Sequence, residues 1–301
     1  MGPVAPVRRP ARSAVVAGYA AAPTRSCIDV RMDAGSDISD FSRRDITLLG
    51  KTKPVLLTGA TGPGVIVIHE VYGFTPALAR FCRWVCDAGF RVYAPVLFGS
   101  PNAGNAEKPT LGRILSLCIS REFTLLAANK ASPVTEWLRA LARLTHEECG
   151  GRGVGAIGMC LTGGFALSMA LEPVVLAPVL AQPGLPATKP GALDISPADL
   201  AQVQARTRDG LELRGYRFQG DTICRASRFQ TLRTAFGAAF AGTELPDSAA
   251  NPAGMKAQGK APHSAFTVDL IDAPDQPTRR AVDEVIVFFR KALLEAYSAA
   301  Q

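Results

Sequence analysis

The run Val65-Ile66-Val67-Ile68-His69 constrains this chain more than any other feature. A strand that is apolar and β-branched at successive positions cannot keep one face in water. It fits a parallel sheet covered on both sides. Further strand-like runs recur at 53–58, 91–94, 154–157, 174–180, 215–218 and 240–245. Between them lie segments with apolar residues at helical spacing. These are 75–88 with Gly89 as its stop, 111–130, 134–147 opened by Ser132-Pro133, 161–171, 227–236 and 278–294. Repeated strand–helix units predict an α/β fold, a mainly parallel sheet with helices on both faces. Functional groups in such sheets gather at the carboxyl ends of the strands.

The chain of 301 residues is 48% hydrophobic, enough to build a buried core and too apolar for a wholly disordered chain. Residues 29–301 read as a single domain. Residues 1–28 carry Arg8, Arg9, Arg12 and Arg25 and no acid, so this stretch reads as a leader. A disordered extension, an organelle-type targeting peptide and a secretory signal all remain open for it. Without those four charges the net charge of +7 falls to +3, which does not call for nucleic acid as a partner. Seven cysteines, an odd and dispersed set, fit free thiols in a reducing compartment, hence a cytoplasmic location. No charge-free apolar run reaches the roughly 18 residues of a membrane span.

Two motifs invite a cofactor or a metal. Gly59, Gly62 and Gly64 resemble a dinucleotide-binding turn, and Gly153, Gly155 and Gly158 match its spacing. Such a turn must follow a strand and open a helix. Here Gly64 runs straight into a strand, and the second set brackets a strand. Cys82 and Cys86 share one helix face among Phe81, Trp84 and Val85, which suits buried structural thiols better than zinc ligands. Neither a cofactor nor a metal is expected.

The chemistry concentrates at Gly158-Met159-Cys160-Leu161-Thr162, between a strand and a helix. Small residues two positions either side of a nucleophile form the elbow that exposes it at the top of a sheet. A helix N-terminus there favours a thiolate. The Leu161 amide would face a developing oxyanion. A tight junction holding an inert cysteine is the plain alternative. A nucleophile needs a base, and the base an orienting acid, in the chain order nucleophile, acid, histidine. Of His69, His146 and His263, only His263 follows Asp221, which closes a strand. Cys160, Asp221 and His263 therefore form the candidate triad. Glu70 follows the strand that ends in His69, so its carboxylate belongs at the same rim, with the Val71 amide as a second oxyanion donor. A solvated turn residue is the alternative for Glu70, and a packed histidine is preferred for His69.

At these residues the chain resembles the dienelactone hydrolase family of the α/β-hydrolase fold. The stretches that carry the likeness are VIVIHEVYGFTPALARFCRWVCDAGFRVYAPVLFG, GAIGMCLTGGFALSMA, RFQGDTICRASRFQTLRTAFG and the HSAF around His263. The resemblance implies Cys160 as nucleophile, His263 as base and Asp221 as its orienter. It further implies that Glu70 activates the thiol when substrate binds, with the Leu161 and Val71 amides as the oxyanion hole. The sequence also departs from the family. The family's type enzyme holds a substrate carboxylate with two arginines; the corresponding places here are the stretch ending at Ser100, which has no Arg, and Thr267. The elbow is one residue longer before its glycine pair than the usual Cys-x-Gly-Gly.

The expected function is cofactor-independent hydrolysis of an ester or lactone, by a monomer or weak homodimer with a small-molecule substrate and no membrane partner. A catalytically silent α/β-hydrolase scaffold that binds a ligand is the second reading. An oxidoreductase, the third, would need a nucleotide at the Gly-rich turn.

Overall fold

The computed structural model describes residues 38–98, 132–185 and 189–295. Residues 1–28, which the sequence reading took as a leader, the expected helix at 111–130 and Ser100 lie outside them. Eight strands form one sheet: β1 (Ser42–Leu48), β2 (Lys51–Thr58), β3 (Gly64–Ile68), β4 (Arg91–Pro95), β5 (Val154–Met159), β6 (Val175–Ala181), β7 (Leu213–Phe218) and β8 (Phe240–Leu245). Their order is β1-β2-β4-β3-β5-β6-β7-β8. β1 and β2 pair antiparallel, β2 is antiparallel to β4, and every other pairing is parallel. The mainly parallel sheet is the one the strand pattern predicts, and its arrangement is the α/β-hydrolase fold that the family resemblance implies.

The described helices are α1 (Pro76–Asp87), α2 (Pro133–Cys149), α3 (Phe165–Met169), α4 (Pro197–Arg208), α5 (Ala226–Phe236) and α6 (Pro277–Leu293). Three of them start the same way. Thr75, Ser132 and Ser196 each accept a backbone N–H of the first turn through the side-chain oxygen, and a proline follows at once. Each such cap is worth about 1 kcal/mol.

The alternation along β3 divides the core between the two faces. Val65 and Val67 pack with Leu78 and Phe81 of α1 and with Val282 and Phe289 of α6. Ile66 and Ile68 pack with Trp137, Leu138 and Leu141 of α2 and with Phe165. A third cluster joins Leu180 of β6 and Leu213 of β7 to Val203, Phe229 and Leu232. All four β3 residues are fully buried, as the unbroken apolar run requires.

Three elements differ from the sequence reading, and one of them is α4, which was not expected. β1 was not expected; only Ile46 among SRRDITL is buried, the pattern of an edge strand dressed with charge. The helix expected over 161–171 is instead a one-turn 3₁₀ helix, Cys160–Thr162, followed by the short α3. Gly163 and Gly164 stand between the two pieces. A Cβ on Gly163 would lie 2.6 Å from Pro183 Cα, so the backbone must pass that residue bare.

The Gly-rich turn has an equally local reason. Gly62 has φ +101°, and a Cβ there would lie 2.1 Å from the carbonyl oxygen of Gly89. The turn packs on the end of α1, then opens β3 directly. Cys82 is buried, and burial pushes its thiol up. Among the described residues, no helix is long and apolar enough to cross a membrane.

Candidate active site

Parallel β3, β5, β6 and β7 end at one rim, and the residues that follow them meet there. Cys160 follows β5 with φ +56°, a left-handed conformation that costs a non-glycine residue about 1–3 kcal/mol and persists only where its surroundings enforce it. Those surroundings can be named. A Cβ on Gly158 would lie 2.1 Å from the Thr162 carbonyl oxygen, so glycine is obligatory there. The Thr162 hydroxyl accepts the Met159 N–H at 3.0 Å and lies 3.0 Å from the His69 carbonyl oxygen, pinning the turn to the end of β3. The extra threonine of the elbow thus binds two strand ends together. From the other side, the Gly184 N–H donates to the Cys160 carbonyl at 2.7 Å.

Asp221 sits in the turn after β7. Its Oδ1 accepts the N–H groups of Ile223 and Cys224 at 2.8 and 2.9 Å, and its Oδ2 accepts His263 Nδ1 at 2.7 Å. A carboxylate held by two amides cannot turn away from the ring. Buried Arg217 braces the same turn, donating to the Cys224 carbonyl at 2.7 Å and the Gln219 carbonyl at 2.9 Å and pairing with Glu244.

With Nδ1 donating to Asp221, His263 Nε2 is the nitrogen left to take a proton. Burial disfavours the charged ring. The negative charge that Cys160 can carry and the Asp221 hydrogen bond outweigh it, so the histidine's proton affinity lies well above the ordinary value. The structure thus brings Cys160, His263 and Asp221 together at one rim.

Glu70 is also at the rim, but its carboxylate is engaged elsewhere. Gln182 Nε2 donates to Oε1 at 2.9 Å, and the Ser264 hydroxyl bonds Oε2 at 3.1 Å. Burial raises its proton affinity, partly offset by His263 and by the neighbouring Thr267 and Ser264 hydroxyls. Thr267, at the place of an arginine in the resemblance, is 3% exposed. Leu161 and Val71 follow Cys160 and Glu70 directly. Leu161 lies in the first turn of its short helix, where N–H groups have no partner within the helix.

His69 is a packed histidine. Its Nε2 accepts the Leu97 N–H at 2.9 Å and its Nδ1 donates to the Glu70 carbonyl at 2.7 Å. Both nitrogens are spent and burial lowers its pKa to about 4, so the ring is neutral.

Sequence reasoning missed three buried groups. Gln182, with φ +34°, reaches Glu70 from the end of β6. Ser264 reaches it from the histidine loop. Asp269 holds that loop itself: its Oδ2 accepts the N–H groups of His263 and Ser264 at 2.8 and 2.9 Å, and its Oδ1 accepts the Met255 N–H at 2.7 Å. Ser264 beside His263 was the one available sequence signal.

Comparison with known proteins bears on the family and the fold. Residues 53–198, which include Glu70 and Cys160, match the model of the dienelactone hydrolase family. Carboxymethylenebutenolidase 1 of Cupriavidus pinatubonensis is 30% identical over 116 residues, 38% of this chain and 47% of that protein. The match therefore spans less than half the length of that curated relative. Among solved structures, a dienelactone hydrolase-like promiscuous phosphotriesterase from metagenomic libraries superposes with a TM-score of 0.56 at 18% identity, covering 84% of this chain and 98% of the other. A cold-adapted esterase from an Arctic intertidal metagenomic library gives 0.54 at 13% identity, covering 82% and 93%. At these identities the two structures speak for the fold alone.

Proposed function

We propose that this chain, whose residues 53–198 match the dienelactone hydrolase family, hydrolyses a carboxylic ester or lactone through a Cys160–His263–Asp221 triad without a cofactor. The observation that carries the reading is a buried histidine whose Nδ1 is fixed by Asp221 and whose ring interacts with Cys160, a cysteine on a strained strand–helix turn.

The Cys160 sulfur, its proton on His263 Nε2, attacks the substrate carbonyl carbon. A C–S bond forms and the carbonyl electron pair moves onto oxygen, where the Leu161 and Val71 amides stabilise it. Collapse breaks the C–O ester bond, and His263 gives its proton to the departing alkoxide. That alkoxide leaves from an ester and stays tethered in a lactone. His263 then takes a proton from water, the hydroxide attacks the thioester, and the C–S bond breaks to release the acid. Asp221 holds the ring in the one tautomer that can do this and stabilises the imidazolium.

Glu70 assists on substrate binding by taking the thiol's proton first and passing it to His263 Nε2, which keeps it for the leaving alkoxide. That requires its bond to Gln182 or Ser264 to open. With Thr267 at one family arginine position and Ser100 near the other, a neutral ester or lactone suits the chain better than an anionic dienelactone.

A panel of esters, lactones and one phosphotriester, run with wild type and Cys160→Ala, tests the reading. The phosphotriester is included because one metagenomic relative is named for that activity. Ester or lactone turnover that falls by about 10⁴-fold in the variant supports it; turnover retained in the variant overturns it.

A further inference from the structure

We propose that Arg228 is a positioning residue for Cys160: its guanidinium ties down the chain segment on which the strained nucleophile turn rests. The inference depends on the reading of Cys160 as nucleophile.

Arg228, on α5, is 1% exposed. Its Nε donates to the Ala192 carbonyl at 3.0 Å, one Nη to the Lys189 carbonyl at 3.3 Å, and the other Nη to the Pro183 carbonyl. All three acceptors belong to the connection from β6 to α4. That connection meets the nucleophile turn at three successive places. The Gly184 N–H donates to the Cys160 carbonyl at 2.7 Å. Pro183 lies against Gly163, and Asp194 Cβ would lie 3.0 Å from a Cβ on Gly164.

A buried cation is costly unless its donors are satisfied, and neutral side chains could bond carbonyls without that cost. What only arginine offers is a rigid planar fork that fixes several acceptors relative to one another. Cys160 needs such a frame, because its positive φ survives only where neighbours over-determine it. Arg228 also stands a few residues beyond Cys224, whose N–H binds Asp221. The helix that follows the acid's turn thus carries the side chain that anchors the segment supporting the nucleophile.

The test uses the full chain with Arg228→Lys and Arg228→Ala. Lysine keeps the charge and loses the fork. A misplaced reacting group costs up to about 10²-fold, so Arg228→Lys should lower kcat by at least about tenfold with KM little changed. Iodoacetamide alkylation of Cys160, followed by peptide mass, should slow with it. Millimolar guanidinium should restore part of the kcat of Arg228→Ala and leave wild type unchanged. Wild-type kcat and alkylation rate in Arg228→Lys, with only a lower melting temperature, would overturn the proposal. If Arg228→Ala does not fold, Arg228→Lys decides alone. Cys160→Ala, measured in parallel, isolates a failure of the nucleophile reading from a failure of this one.

Discussion

Asp221→Asn changes one atom of the triad and leaves its shape. The native carboxylate accepts three N–H groups, two from backbone on Oδ1 and one from His263 on Oδ2. An amide has only one oxygen. If that oxygen stays with the Ile223 and Cys224 amides, the new NH₂ faces His263 Nδ1, and the ring must move its proton to Nε2 to accept it. The base is then gone, and a loss of about 10⁴-fold in kcat follows, as in other triads with this substitution. If the oxygen turns to the histidine, NH₂ meets two buried donors at a cost of about 1–3 kcal/mol for each unsatisfied group. The first arrangement loses fewer bonds, so stability should drop by only about 1–3 kcal/mol. That is about 2–4 °C of melting temperature per kcal/mol for a domain of this size. Hydrolysis of p-nitrophenyl acetate and a thermal melt measure the two quantities. Activity near wild type in a folded Asp221→Asn would refute the tautomer argument and the role of Asp221 with it.

Glu70→Gln keeps the shape and removes the proton acceptor; turnover should fall by about 10²-fold or more, whereas unchanged turnover and Cys160 alkylation would confine Glu70 to structure. His69 is neutral in the fold at about 4, below its unfolded value near 6.5, so the unfolded chain binds more protons between them. Its stabilising contribution is complete above about pH 6.5 and is lost as pH falls toward 4. Urea unfolding of wild type and His69→Gln should show their stability gap narrowing by about 2 kcal/mol from pH 7.5 to pH 5; a constant gap would mean the ring is not buried neutral. Gly158→Ala puts a Cβ 2.1 Å from the Thr162 carbonyl oxygen, so the elbow must open, and Cys160 alkylation and turnover should change together.

The sequence announced the elements that are buried on both faces and the residues that cap strands and helices. β3 is apolar throughout, and Thr75 and Ser132 sit before prolines, so these elements were legible from local pattern. α4 was not, since it buries only Val203 and carries little apolar periodicity. Cys160, Asp221 and His263 could be proposed because a strand–turn–helix signature fixes the first and chain order restricts the others. Gln182, Asp269 and Arg228 carry no such signature. Each acts by reaching a group that only the folded chain brings near: Gln182 bonds Glu70 across 112 positions, and Arg228 bonds Pro183 across 45. Glu70 shows the same boundary from the other side. Its place at the rim follows from β3, while its bonds to Gln182 and Ser264 depend on the end of β6 and on the histidine loop.

The central claim is that an acyl group passes through the Cys160 sulfur. Wild-type protein mixed with p-nitrophenyl acetate and acid-quenched during turnover should yield a Cys160 peptide heavier by one acetyl group and labile to hydroxylamine, as a thioester is. The corresponding peptide from Cys160→Ala should carry no acetyl, and that variant should release no nitrophenolate beyond the uncatalysed rate. Nitrophenolate release by Cys160→Ala at the wild-type rate, or an acetyl group trapped on another residue during turnover, would contradict the account.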